Sequence, residues 1–274
     1  MACHAINSVA EQRYYCGVYG ILPPPTNLNM WLTNANSNGT SLTAVASTPM
    51  LKQMAANNLV AEVAAFYLLT TGHPLWAVAA VVLQYYPPDI TYNYSENEDF
   101  YKYSDVISGI FYHELCHASH YSKVGSSYWL PYDLFILAHL GYGSNTDAGY
   151  GRVAISEAWA YSAAPKMTHQ RYGIPTSIGE SWLNRIEKYK PFVGTSEFTE
   201  NYIPEGLMYD LTDGIGEMTP NGVVDLVSNY TLANCYNALD QDIVSVSAYK
   251  ERFLAENGTS QYVPIIKLFE SYGY

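Results

Sequence analysis

The chain has 274 residues, 49% of them hydrophobic and only 14% charged, with a formal net charge of −12. A chain of this length can bury a substantial core, as one large domain or two lobes. The acidic balance, without a basic run, speaks against nucleic acid and anionic membrane as partners. The most apolar run, residues 74–83, is too short to span a bilayer.

In chain order, the first segment, to about residue 48, is rich in Asn, Pro, Gly and Thr. It predicts loops around one short strand over 29–33. Thr48 as N-cap and Pro49 in the first turn open a helix to about residue 70. Gly72 and Pro74 break it, with His73 in the turn reading as structural, and a second apolar helix runs to about 86. Residues 89–94 alternate and are rich in strand formers.

The run S-D-V-I-S-G-I-F-Y-H-E-L-C-H-A-S-H-Y, residues 104–121, predicts an amphipathic helix. Ser104 or Asp105 can cap it, Val106, Ile110, Phe111 and Leu115 supply apolar contacts, and Gly125 ends it. The aromatic stretch Tyr128-Trp129-Leu130-Pro131-Tyr132 leads into a short helix ending near 140. After a glycine-punctuated loop comes a short alanine-rich helix around Glu157. Further helices are expected over about 177–189, 204–213, 232–239, 246–256 and 264–272. The fold class is therefore α+β and mainly helical, a small sheet preceding the 104–121 helix and a helical C-terminal part following it. A single domain, 1–274, is expected, or else an N-terminal lobe 1–121 and a helical lobe 122–274.

Within the 104–121 helix, His113-Glu114-Leu115-Cys116-His117 reads as H-E-x-x-H, the zinc-peptidase signature. Histidines four apart on a helix lie about 40° apart around its axis, so both can reach one ion. Glu114, about 100° round from His113, can stand beside a water on that ion. A catalytic zinc usually takes a third protein ligand. The metzincin pattern would place it after a glycine, but His120 and Lys123 occupy the glycine and third-histidine positions, so that pattern fails. His120 is also excluded, because three ligands along one straight helix would span about 10 Å. Glu157, flanked by alanines and Trp159, is the better candidate, since a carboxylate on a half-buried helix needs a partner. An exposed glutamate paired with Arg152 is the other reading.

With these residues in view, the chain resembles the gluzincin branch of zinc metallopeptidases, whose third ligand is a glutamate on a downstream helix. Ser156-Glu157-Ala158-Trp159-Ala160 is similar to the N-E-G-F-A box of the aminopeptidase members, identical at Glu157 and Ala160. The resemblance implies a zincin-like fold with an edge strand for extended substrate. It also implies zinc held by His113, His117 and Glu157, and Glu114 as general base. The wording of both segments is similar to that of secreted bacterial metallopeptidase-like proteins. Two features depart from the branch: the interval between His117 and Glu157 is longer, and Tyr161 stands where some gluzincins carry an aspartate supporting a zinc histidine.

The expected activity is hydrolysis of peptide or protein substrates by a zinc-activated water. His169, Tyr161 and Tyr209 are candidate donors to the developing oxyanion, His169 preferred. The alternative is a catalytically weak zincin-fold surface protein that binds peptides or glycans, suggested by the 27 tyrosines. Neither reading calls for a membrane span. Cys3, Cys16, Cys116 and Cys235 form no paired framework by spacing, though Cys3 and Cys16 could bridge locally. Cys116 reads as a packed small hydrophobe. The expected location is extracellular or at the cell surface, with no signal segment visible in the chain; a natural cytosolic start is the competing account.

Overall fold

The computed structural model describes residues 2–34, 90–94, 103–139, 142–173, 202–214, 223–258 and 260–274. The helices expected over 48–70, 74–86 and 177–189 lie outside the described residues. The chain divides into two compact units, Met1–Pro24 with Lys102–Tyr274, and Pro25–Tyr101. A division at residue 121 would instead cut a continuous helix, Ser104–Val124.

In the unit Pro25–Tyr101, strands β1 (Met30–Asn34) and β2 (Ile90–Tyr94) pair in parallel, Met30 opposite Ile90 and Asn34 opposite Tyr94. Both stand where alternation and β-branched or aromatic residues place them, within a residue or two. This ladder is the regular strand structure among the described residues.

The other unit is helical. It consists of α1 (Ala2–Tyr19), α2 (Ser104–Val124), α3 (Ser126–His139), α4 (Tyr150–Tyr172), α5 (Leu207–Asp210), α6 (Leu232–Asn237), α7 (Val246–Asn257) and α8 (Tyr262–Ser271). The described protein is thus mainly helical. Helix α1 replaces the loop expected at the N-terminus. Its buried residues, Ala5, Ser8, Gln12, Tyr15 and Cys16, recur at helical spacing, but two of them are polar. Gln12 Nε2 donates to the Leu115 carbonyl at 3.4 Å and binds α1 to α2.

Helix α2 begins after Tyr103, whose extended backbone is the N-cap without a side-chain cap. Ser104 and Asp105 are therefore inside the first turn rather than capping it, where the Asp105 carboxylate suits the positive end of the helix. Gly125 closes α2 at φ 73°, its N–H donating to the Tyr121 carbonyl at 2.9 Å.

Helix α4 has 23 residues, longer than the short helix expected. Pro165 lies inside it, removing one N–H without ending the helix. Val153, Ala154, Ile155, Ala158, Trp159, Ala160, Ala163, Ala164 and Met167 are all fully buried, so α4 runs through the core. Its small side chains let α2 lie close, and the Trp159 indole N–H donates to the Cys116 carbonyl at 3.0 Å. Gly151 sits where a Cβ would collide with the Val244 carbonyl oxygen, so the N-terminus of α4 is seated on the segment that leads into α7. Over 204–213 the expected helix is a turn with the four residues of α5. The other C-terminal helices stand near their expected places. Their tyrosines tie the unit together: Tyr236 donates to the Ser119 carbonyl at 2.8 Å and Tyr272 to Asp210 at 2.7 Å.

No helix among the described residues is long and apolar enough to cross a membrane. All four cysteines are free thiols, Cys3 exposed and Cys16 buried, so the local bridge between them is not formed. Cys116 is fully buried, as a packed hydrophobe should be. Tyr15, Tyr112, Tyr128, Tyr132, Tyr202, Tyr236, Tyr249 and Tyr272 are also buried, so tyrosine here serves the core.

Candidate metal centre

Helix α2 carries His113 and His117 one turn apart on the face that meets α4, and α4 carries Glu157 opposite them. The two Nε2 atoms are 3.2 Å apart. Glu157 Oε2 lies 3.3 Å from His113 Nε2, and Glu157 Oε1 lies 3.3 Å from His117 Nε2. Bonds of roughly 2.0–2.1 Å at tetrahedral angles put neighbouring ligand atoms about 3.3–3.4 Å apart. The separations from each imidazole to its nearer Glu157 oxygen match that spacing, and one ligand atom from each of the three side chains lies within 4.8 Å of the others. The donor set, two imidazoles and a carboxylate, is also chemically suited to a divalent cation. These three residues form a cluster that could hold a metal ion.

The enclosure is tight: relative exposure is 7% for His113, 3% for His117, 3% for Glu114 and 1% for Glu157. Burial would raise the Glu157 carboxyl, but His117 and His113, by charge and hydrogen bonding, hold it below the ordinary carboxylate range. Glu114 has no such support. Burial first, and the charge of Glu157 second, push its carboxyl well above the ordinary range. Its Oε2 has no hydrogen-bond partner among the described residues. Two carboxyl groups are therefore buried within reach of each other's charge, an arrangement that calls for positive charge.

Aromatic side chains wall the cluster. The Tyr161 ring stands edge-on to His113 at 4.6 Å between centroids, and Trp129 edge-on to His117 at 5.6 Å. The Tyr132 hydroxyl donates to Glu157 Oε1 at 2.6 Å. Burial, then the Glu157 charge, keep that phenol protonated by pushing it well above its usual range. Tyr142 is close enough for Glu157 and Glu114 to add their charges to the effect of burial, which also pushes its phenol up. The Tyr202 hydroxyl donates to the Tyr142 carbonyl and anchors that loop. The His117 Nδ1 is buried without a hydrogen-bond partner among the described residues. A ligand histidine commonly donates its second ring N–H to a carboxylate or a carbonyl, and no such acceptor stands at this ring among the described residues.

The structure brings together His113, Glu114, His117 and Glu157, and places Tyr161 against them. His120 is outside the cluster, buried between the Tyr128 and Trp129 rings at 4.9 and 5.6 Å. His169 does not join the site. It lies on the last turn of α4, about 18 Å along the helix from Glu157 at 1.5 Å per residue, too far for an imidazole to reach. Tyr209 packs under Lys166 Nζ at 4.0 Å, which is about two and a half turns past Glu157. Tyr132 and Tyr142 are the site residues that sequence reasoning missed. Trp129 and Tyr132 stand three apart in the aromatic stretch, a spacing that puts both on one helical face and was the available signal.

No family model, curated protein or solved structure matches this chain. The likeness to gluzincins rests on the site residues themselves.

Proposed function

We propose that this chain is a zinc-dependent peptide hydrolase with a zincin-like fold of the gluzincin type. In this reading His113, His117 and Glu157 hold the ion and Glu114 handles the proton. The observation that supports it is the convergence of three side chains from two helices, the two Nε2 atoms 3.2 Å apart and each 3.3 Å from one oxygen of Glu157. Two nitrogens and one carboxylate form a three-ligand set known in catalytic zinc sites, which leave one position for water or substrate. When bound, zinc would make a water more acidic and polarise a carbonyl.

The rest falls to the chain. Glu114 Oε2 accepts the proton of the attacking water. A carboxyl whose burial raises its proton affinity is suited to keep that proton and pass it to the departing amine. Tyr161 and Tyr142 border the cluster and take the donor role first sought at His169, towards the oxygen of a substrate carbonyl. The peptide as substrate class rests on the gluzincin resemblance.

The test is elemental analysis of protein purified without chelator, paired with cleavage of a broad peptide mixture. Wild type should carry one zinc per chain and cleave. The Glu114→Gln variant should keep the zinc and lose cleavage. Metal-free wild type, or undiminished cleavage by Glu114→Gln, would overturn the proposal.

One observation favours a second reading, a metal-carrying surface protein that binds peptides or glycans with little turnover. All three ligands are nearly inaccessible, which suits a closed site as well as a catalytic one. Stoichiometric zinc, no cleavage by wild type and retention on a peptide or glycan array would select it.

A further inference from the structure

Glu157 offers two oxygens, and the structure treats them differently. Oε1 accepts the Tyr132 hydroxyl at 2.6 Å, the length of a charge-assisted O–H···O⁻ bond. Oε2 receives no such donor among the described residues. Towards the histidines the two oxygens stand alike, Oε2 3.3 Å from His113 Nε2 and Oε1 3.3 Å from His117 Nε2, so the tyrosine is what distinguishes them. Tyr132 is itself held firmly. It is 6% exposed, its ring packs edge-on to Trp129 at 4.7 Å, and it lies 6.4 Å from His117. Its hydroxyl is thus delivered to one oxygen by a helix, α3, that contributes no ligand of its own.

Resting on the metal reading above, we propose that Tyr132 is a positioning residue that makes Glu157 a one-oxygen ligand, engaging Oε1 so that Oε2 alone meets the ion. A carboxylate free to bind through both oxygens would fill an extra position on the metal. Occupying one oxygen with the tyrosine hydroxyl would keep that position for water or substrate. It also fixes the carboxylate plane before the ion arrives, so less ordering is required on binding. The arrangement adds one hydrogen bond to the ring contacts by which α3 meets the metal centre.

The test compares wild type with Tyr132→Phe and, as a control, Tyr128→Phe. Tyr128 is buried in the same helix, and its hydroxyl lies 3.3 Å from Ser156 Oγ, next to Glu157 but not on it. Zinc affinity is measured by competition with a chromogenic chelator, and coordination by the visible spectrum of the cobalt(II) form. Tyr132→Phe should weaken zinc about 10–100-fold, the usual cost of losing a partner behind a ligand, and alter the cobalt spectrum. Tyr128→Phe should stay within about threefold of wild type, well short of that cost, with the spectrum unchanged. Equal losses in both variants, or no loss in Tyr132→Phe, would overturn the role of Tyr132 while leaving the metal site standing. Wild type that binds no zinc would overturn the metal reading itself, and the role of Tyr132 with it. Should Tyr132→Phe not fold, a crystal structure of zinc-loaded wild type decides. One Glu157 oxygen on zinc and the other on the Tyr132 hydroxyl upholds the proposal; both oxygens on zinc refutes it.

Discussion

Two glutamates at the junction of the long helices make an informative pair. Glu11 on α1 and Glu157 on α4 each accept a tyrosine hydroxyl at 2.6 Å, from Tyr112 and Tyr132 respectively. There the likeness ends. Glu11 is half-buried and also receives the Arg171 guanidinium, so a full positive charge from the chain stands against it. Glu157 is 1% exposed, and its ion-pair partners among the described residues are His113 and His117. Protonating both imidazoles would balance the charge, but would set two N–H donors against each other at 3.2 Å. A cation shared by all three removes that conflict and offsets the second carboxylate, Glu114, as well. The Glu11 cluster is complete as built and acts as a strut between α1, α2 and α4. The Glu157 cluster is short of positive charge.

This contrast is broken most directly by neutralising each carboxylate in turn. Glu157→Gln should weaken zinc binding by more than about 100-fold, beyond the cost of losing an outer partner. Glu11→Gln should leave the affinity as it is. Equal zinc affinities in the two variants, measured by chelator competition, would erase the distinction. Metal addition gives the next largest effect. Zinc at a hundred times its dissociation constant should raise the unfolding free energy of wild type by about 2.7 kcal/mol, by mass action on the folded state. The Glu157→Gln variant at the same zinc concentration should keep at most about 0.4 kcal/mol of that gain in a denaturant titration. Smaller still is Arg171→Met, which leaves Glu11 with Tyr112 alone. Both members of that pair are partly exposed, so the cost should be about 1–2 kcal/mol, between the surface and buried limits. Its zinc affinity should match wild type, and a parallel loss of zinc would show that the strut and the metal centre are one system.

The parts that could be read from sequence were those whose signal is local. His113 and His117 announce themselves by a four-residue spacing, and α2 by apolar residues at helical intervals ended by Gly125. Glu157 stood out because a carboxylate beside Ala158, Trp159 and Ala160 needs a partner if its helix is half-buried. Helix α1 gave no such signal. Ser8 and Gln12 lie in its buried stripe while Ile6, Tyr14 and Val18 are outside, so its apolar residues do not mark its inner face. The length of α4 was hidden because Pro165 usually ends a helix, yet here burial along most of the helix outweighs one missing hydrogen bond. Tyr132 could not be read at all as the partner of Glu157. That pairing spans 25 residues and depends on how α3 packs. His169 failed for the complementary reason: a histidine on the right helix, but three turns too far along.

The third histidine of α2 offers the finest contrast, because it sits one turn beyond the ligands and meets no carboxylate among the described residues. His120 is fully buried against Tyr128 and Trp129, with both ring nitrogens lacking a hydrogen-bond partner among the described residues. Burial first, then the positive charges of His117 and Lys123, push its pKa down to about 3 from 6.5. The unfolded chain therefore holds this proton over a pH range in which the folded chain does not. Stability from His120 is full above pH 6.5 and falls as the pH drops from there towards 3. The slope is about 1.4 kcal/mol per pH unit once the unfolded imidazole is charged, so the loss between pH 6.5 and 5.5 should be about 1 kcal/mol. In metal-free protein, His120→Leu should lose that share of the acid sensitivity, read as a shallower fall of denaturant midpoint with pH. A variant that falls as steeply as wild type would mean that His120 takes up its proton in the folded state, and that water or a further side chain reaches it.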